Sequence, residues 1–401
     1  MIRKRNANAA IFLLITVCFL LIISGCTSAP SHFSGENEEN ELNGVNGSTD
    51  VANGEKETPI LLPDKELLDK MRREILGIDE NEVIDYEIFD DVIDIIIENA
   101  EGKTEYSLSN GDTSPLSFHI QDISYLLVFE NLWIAQIYDL PIFSVPDLSA
   151  LRNLKHINFS NCSIRSLEGL KNVKSLENLY INNFSEEIHI EDLFKISNLE
   201  NLKELSIVGA LLSDEDITFF STDCPLTNSL ERVALDVNVL TSLSAFANMP
   251  KLWNLSCGYN KISTPYIAVD SQIANSLGSL SLYGNNINSL KGLSHLKRLF
   301  SLDVSWNNIK KFDISKESRV YSTLTYLYLK GTELEKLDGI VDLSNLRYLD
   351  LTENSSVNFN QLAKAKFLDK LEELYLDEDA VIEAELLNML PVKYSYPEEY
   401  D

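Results

Sequence analysis

From about residue 116 to residue 380 the apolar positions recur on one frame, L-x-x-L-x-L-x-x-N-x-I-x-x-L-x-x-L. Leu277, Leu280, Leu282, Asn285, Ile287, Leu290 and Leu293 fill its slots one, four, six, nine, eleven, fourteen and seventeen, and Leu154, Ile157, Phe159, Cys162, Ile164, Leu167 and Leu170 fill them earlier. Units begin at Leu132, Leu154, Leu176, Leu202, Leu230, Leu252, Leu277, Leu299, Leu324, Leu346 and Leu371. A short repeat of this kind marks a solenoid, whose units bury their apolar side only by stacking on neighbours. Alternation through slots three to seven has the period of a strand. Slots four and six therefore face inward and slots three, five and seven outward. The expected fold is α/β: a solenoid with a parallel sheet on its concave side, closed at its N-terminal end by a helical cap.

Slot nine carries Asn238, Asn260, Asn285, Asn307 and Asn354. A primary amide offers two donors and an acceptor, which suits it to backbone groups left open where strand gives way to return. These asparagines are read as a structural ladder. Cys162, Phe184, Ala210, Thr332 and Asp379 stand at the same slot in other units, so the ladder is incomplete. The frame and its asparagines resemble the leucine-rich repeats of the internalin-like bacterial class. That resemblance implies a short strand, a turn and an irregular or short helical return in each unit.

The chain before the repeats changes character three times. Arg3, Lys4 and Arg5 precede an apolar run over residues 9–23, which ends in Ile23-Ser24-Gly25-Cys26. The run is short for a membrane span of about 20 residues and suits a secretory signal. Its end resembles a bacterial lipobox, which implies cleavage before Cys26 and a lipid on its thiol. Residues 1–25 are thus expected to be a lipoprotein signal peptide. Residues 26–63, rich in Asn, Gly, Glu, Ser and Thr, read as a lipidated disordered tether of roughly 33 Å reach. Residues 64–115 read as the helical cap: Leu67, Leu68, Met71, Ile75 and Leu76 lie at helical spacing, and a second pattern follows in Phe89, Val92, Ile93, Ile95, Ile96 and Ile97. Repeats are expected over 116–380. Residues 381–401, with Ile382, Leu386, Leu387 and Leu390, read as a C-terminal cap and tail. Localisation is expected to be extracytoplasmic, lipid-anchored to a cell membrane or outer membrane.

Charge narrows the partners. Lys and Arg number 33 against 62 Asp and Glu, for a net charge of −29. Nucleic-acid binding depends on clustered cations, so no nucleic-acid partner is expected. H-E-x-x-H, G-x-S-x-G, P-loop and C-x-x-C patterns are missing and the five histidines are dispersed. Catalytic residues, metal and cofactor are therefore not expected, and the reading is a binding module rather than an enzyme.

Its ligand face is placed on the C-terminal half of the sheet. Outward slots there hold Tyr283, Tyr326, Tyr328, Tyr348 and Tyr375, with Trp306 beside them at slot eight. Asp303, Asp350 and Asp377 interleave with the rings. Tyrosine and tryptophan bring large contact area with a polar tip and are enriched in binding hot spots. A protein or peptide ligand is expected on this concave face, and a glycan or envelope polymer is the alternative.

Overall fold

The computed structural model describes residues 65–76, 79–83, 94–100, 103–108, 113–115, 123–183 and 190–395. The signal peptide, Cys26, the tether and Phe184 lie outside them. The described residues fall in one compact unit, Leu62–Asp401.

Each of the eleven predicted units contributes a strand. They are β4 (Ile134–Tyr138), β5 (His156–Ser160), β6 (Asn178–Asn182), β7 (Glu204–Val208), β8 (Arg232–Ala234), β9 (Asn254–Ser256), β10 (Ser279–Ser281), β11 (Ser301–Asp303), β12 (Tyr326–Tyr328), β13 (Tyr348–Asp350) and β14 (Glu373–Asp377). Neighbours pair in parallel and in sequence order, so slot aligns with slot: Leu280 with Leu302, Leu302 with Leu327, Leu327 with Leu349. The inward column is fully buried at Leu302, Leu327, Leu349 and Leu374. Each such side chain contributes about 1.5–3 kcal/mol of burial, so the leucine frame is what holds the stack together. Short 3-10 turns such as Glu168–Leu170, Ser244–Phe246 and Lys291–Leu293 bring the chain back. They bury the slot-seventeen residues Leu170, Phe246 and Leu293 beneath the sheet. This is a leucine-rich-repeat solenoid. Cys162 and Cys257 are buried free thiols and Cys224 is a half-buried one.

The two ends depart from expectation. A helix, α1 (Lys65–Leu76), forms as the spacing predicts and buries Met71 and Arg72. Arg72 pairs with Asp69 and Glu130, each at 3.2 Å. The second helical pattern is overturned at its end, where Ile95, Ile96 and Ile97 form strand β1 (Asp94–Ala100); Phe89, Val92 and Ile93 lie outside the described residues. β1 pairs in parallel with β4 and antiparallel with β2 (Lys103–Leu108), which pairs with β3 (Thr113–Pro115). Ile95 and Ile97 are buried while Ile96 between them is half-buried, the period of a strand. The consecutive isoleucines satisfy both periods locally, and the open edge of β4 decides for strand. The cap is therefore one helix with a three-stranded addition to the sheet. At the other end a single helical turn, Ala384–Leu387, leads into β15 (Val392–Ser395), which pairs with β14. The repeat sheet thus runs one strand past the last unit of the frame.

Slot eight is the pivot of most units. Val237, Tyr259 and Trp306 occupy it with φ of 56°, 46° and 54°, and Gly284 and Gly331 with 64° and 61°. A left-handed residue costs a side chain about 1–2 kcal/mol. It ends the strand and turns slot nine back under the sheet, where the asparagine makes its bonds.

Candidate ligand-binding face

The ladder asparagines are all buried. Asn285 Oδ1 accepts the Ile262 N–H at 2.9 Å, and its Nδ2 donates to the carbonyls of Cys257 at 2.9 Å and Leu282 at 3.0 Å. Asn260 serves the Leu240 N–H and the Leu235 carbonyl, and Asn307 serves Ile287 and Leu282. Asn238 accepts from the N–H groups of both Ala210 and Leu212. Asn354 serves Leu334 and Leu329 and also accepts the hydroxyl of Thr332, which stands at slot nine of the unit before. These side chains build the frame and offer nothing to a ligand.

On the concave side, four of the predicted rings form one run. Tyr326 and Tyr348 lie 6.3 Å apart between centroids, Tyr328 and Tyr348 4.7 Å, and Tyr348 and Tyr375 5.2 Å, with interplanar angles of 34–39°. Register explains the contact, since Tyr326 stands opposite Tyr348 and Asp350 opposite Tyr375 on adjacent strands. Tyr326 is 39% exposed and the other three are half-buried. Burial raises the Tyr328 phenol to about 12 and raises Tyr348 further, so both are neutral donors at physiological pH. Asp350 lies between the rings, raised by burial, and accepts the N–H and hydroxyl of Thr352 at 2.9 and 2.7 Å. Asp377 accepts the Glu353 N–H at 2.8 Å. At the far end Lys393 on β15 sits 5.7 Å from the centroid of Tyr375 and pairs with Glu373.

Three predicted residues stand elsewhere. Trp306 is 44% exposed and lies over Gly331, where a Cβ would come within 2.8 Å of its ring; Lys330 is 5.7 Å from the ring centroid. Tyr283 is only 6% exposed and belongs to a second aromatic pair. It meets Tyr259 edge-on at 4.9 Å and covers Gly258, where a Cβ would be 2.1 Å from the ring. Strand alternation alone makes slot seven outward, but the missing side chain at Gly258 lets the Tyr283 ring lie flat along the sheet and bury itself. Asp303 is likewise buried, held by the Ser305 N–H at 2.9 Å, and desolvation lifts its carboxyl to about 6. Tyr259 and Asp236, also on this face, escape a search for outward aromatics and acids on the three strand slots of the C-terminal units. The Gly258–Tyr283 adjacency across one register step was the available signal.

The N-terminal half of the same face is polar. Tyr180 donates to Glu204 at 2.7 Å and receives the Asn178 amide, and Arg232 pairs with Glu204. Most of these side chains bond to one another, although Arg232 Nε has no hydrogen-bond partner. No group of three or more metal-ligating side chains occurs among the described residues.

Neither a family model nor a curated protein matches this chain. Solved structures do. An internalin, inlF, from Listeria monocytogenes superposes with a TM-score of 0.55 at 19% identity, covering 83% of this chain and 95% of that one. The TLR13–ssRNA13 complex superposes with a TM-score of 0.51 at 20% identity over 68% of this chain, which spans 41% of that one. At such identities the likeness is one of fold, and the fold is that of the internalin-like leucine-rich repeats.

Proposed function

We propose that the protein is a membrane-anchored recognition module that docks a protein or peptide on the C-terminal half of its concave sheet. The observation that carries this is the contiguous run Tyr326–Tyr348–Tyr375 with Tyr328 against it. Four amphipathic rings in contact present one apolar surface rimmed by hydroxyls, the composition of a hot spot. Their carboxylate neighbours favour a partner with basic groups, and the net charge of −29 argues against a phosphate backbone. The RNA of the TLR13–ssRNA13 complex therefore stays a property of that complex. Surface anchoring is supported by the basic start, the apolar run and Cys26; on this reading the lipid holds the module outside the cytoplasm at a cell membrane or outer membrane. The scaffold works by binding and performs no chemistry.

Immobilised full-length protein is to be offered a protein extract and a glycan panel. The captured partner is then measured against a Tyr328→Ala/Tyr348→Ala/Tyr375→Ala variant. Loss of several kcal/mol of binding is expected with the fold intact. Unchanged binding would reduce the run to ordinary sheet surface, and capture of glycans alone would replace the protein partner.

A further inference from the structure

Next to the tyrosine run, the concave side of four units carries a row of small polar and acidic side chains: Asp236, Ser256, Ser281 and Asp303. Ser281 stands opposite Ser256 on one side and Asp303 on the other. The Ser256 hydroxyl donates to Asp236 Oδ1 at 2.6 Å, and the Gly258 N–H donates to the same oxygen. Asp236 Oδ2 and Ser281 Oγ have no hydrogen-bond partner, although their residues are only 2% and 8% exposed. A buried polar atom without a partner is costly and calls for one. Both carboxyls titrate near 6, chiefly through desolvation, and for Asp236 the nearby Asp303 adds to the rise. Neither aspartate forms an ion pair among the described residues. Aromatic rings wall the row: Tyr283 over Gly258 with Tyr259 edge-on to it, and Tyr328 across the next register step from Asp303.

We infer that this row is the seat for one lysine side chain of the docked partner, its ammonium held at the two partnerless atoms Asp236 Oδ2 and Ser281 Oγ, with the Asp303 carboxyl opposite Ser281 adding negative charge. Single acceptors on separate strands suit an ammonium, a compact charge with three donors, better than a planar guanidinium, whose fork asks for one bidentate partner. Two carboxylates and one hydroxyl fall well short of the oxygen shell that a calcium ion takes. Tyr283 lies over Gly258 beside the row, so entry of the group requires that ring to shift. The inference rests on the reading of this face as a docking surface, and it adds the chemistry of one contact: a lysine beside whatever meets Tyr328.

The test is titration calorimetry of the full-length protein with tetralysine, with tetraglutamate and calcium chloride as separate probes. Against so acidic a chain a charge control is needed, and Glu200→Gln/Glu215→Gln, both exposed, supplies it. Asp236→Asn/Asp303→Asn is expected to weaken tetralysine binding at least about tenfold, and the control less than about twofold. Ser281→Val blocks the row without changing charge and is expected to weaken binding to a similar degree; it decides the matter if the asparagine variant does not fold by circular dichroism. Tetralysine binding equal in the Ser281→Val, asparagine and control proteins would overturn the inference. So would calcium binding tighter than tetralysine and lost in the asparagine variant. The tyrosine triple variant separates the two readings: loss of the captured partner without loss of tetralysine leaves both standing. Retention of the partner there, with tetralysine still dependent on the aspartates, removes only the tyrosine surface.

Discussion

Replacing Asn285 by alanine removes four hydrogen bonds from the middle of the ladder. Two of the groups they serve keep other partners: the Leu282 carbonyl still accepts from Asn307, and the Tyr283 carbonyl from the Tyr259 N–H. The Ile262 N–H and the Cys257 carbonyl have only the Asn285 amide. Each such buried group left unsatisfied costs about 1–3 kcal/mol, so the substitution should destabilise by about 2–6 kcal/mol. That is a large share of the 5–15 kcal/mol typical of a whole domain. The neighbouring residue is the control, since Asn286 is exposed and its change to alanine should cost within about 0.5 kcal/mol. Asn285→Asp tests the donor side alone. It keeps an acceptor for Ile262 but turns a carboxylate on the Cys257 and Leu282 carbonyls, so at neutral pH it should be worse than alanine. Urea unfolding followed by far-ultraviolet circular dichroism reads all three. Equal midpoints for the Asn285 and Asn286 alanine variants would refute the register and the ladder with it.

Gly331→Ala should cost about 1–2 kcal/mol for its left-handed backbone and shift tryptophan emission, because the added Cβ meets the Trp306 ring; an unchanged spectrum and midpoint would contradict the packing. Asp236 and Asp303 hold protons in the folded state up to about pH 6, whereas the unfolded chain releases them near 3.8. Their contribution is therefore full below the unfolded value and lost as pH rises through 6, by up to roughly 3 kcal/mol each. The stability gap between wild type and Asp303→Asn should accordingly shift in favour of the variant between pH 4 and 7, and a gap independent of pH would be the adverse result. Cys26→Ser should move the protein from the detergent-rich to the aqueous phase on partitioning, and identical partitioning would end the lipoprotein reading.

The repeat frame was legible because each unit repeats the same physical demand. Leu280, Leu302, Leu327 and Leu349 must face one way, and period two at slots four and six then sets the register of every strand. Asn285 and its counterparts were legible for the same reason: a polar residue recurring at an inward slot has to be satisfied by backbone. What escaped was decided by neighbours. β1 begins D-I-I-I, which fits two periods until β4 offers an edge. β15 is a four-residue strand with a single pairing partner and carries no periodic signal. Tyr283, Asp303 and Ser281 occupy outward slots, yet are buried because rings from adjacent units lie across the sheet. Only the pairing of residues some 25 positions apart shows this. The run of Tyr326, Tyr348 and Tyr375 was readable, since registered strands must bring those positions side by side.

The ladder also has a direction. Every asparagine reaches back to the unit before it: Asn285 to Cys257 and Ile262, Asn307 to Leu282 and Ile287, Asn354 to Leu329 and Leu334. Coupling between neighbours is thus unequal. A unit shorn of its predecessor keeps its own turn intact and merely exposes an amide that water can serve. A unit shorn of its successor loses the partner for its own buried N–H and carbonyl. At Asp379 slot nine is already exposed, and β15 supplies the last pairing instead. Trimming this solenoid from its C-terminal end should therefore unravel units that trimming from the other end would spare, and the strand that closes the stack is the one on which its neighbours lean.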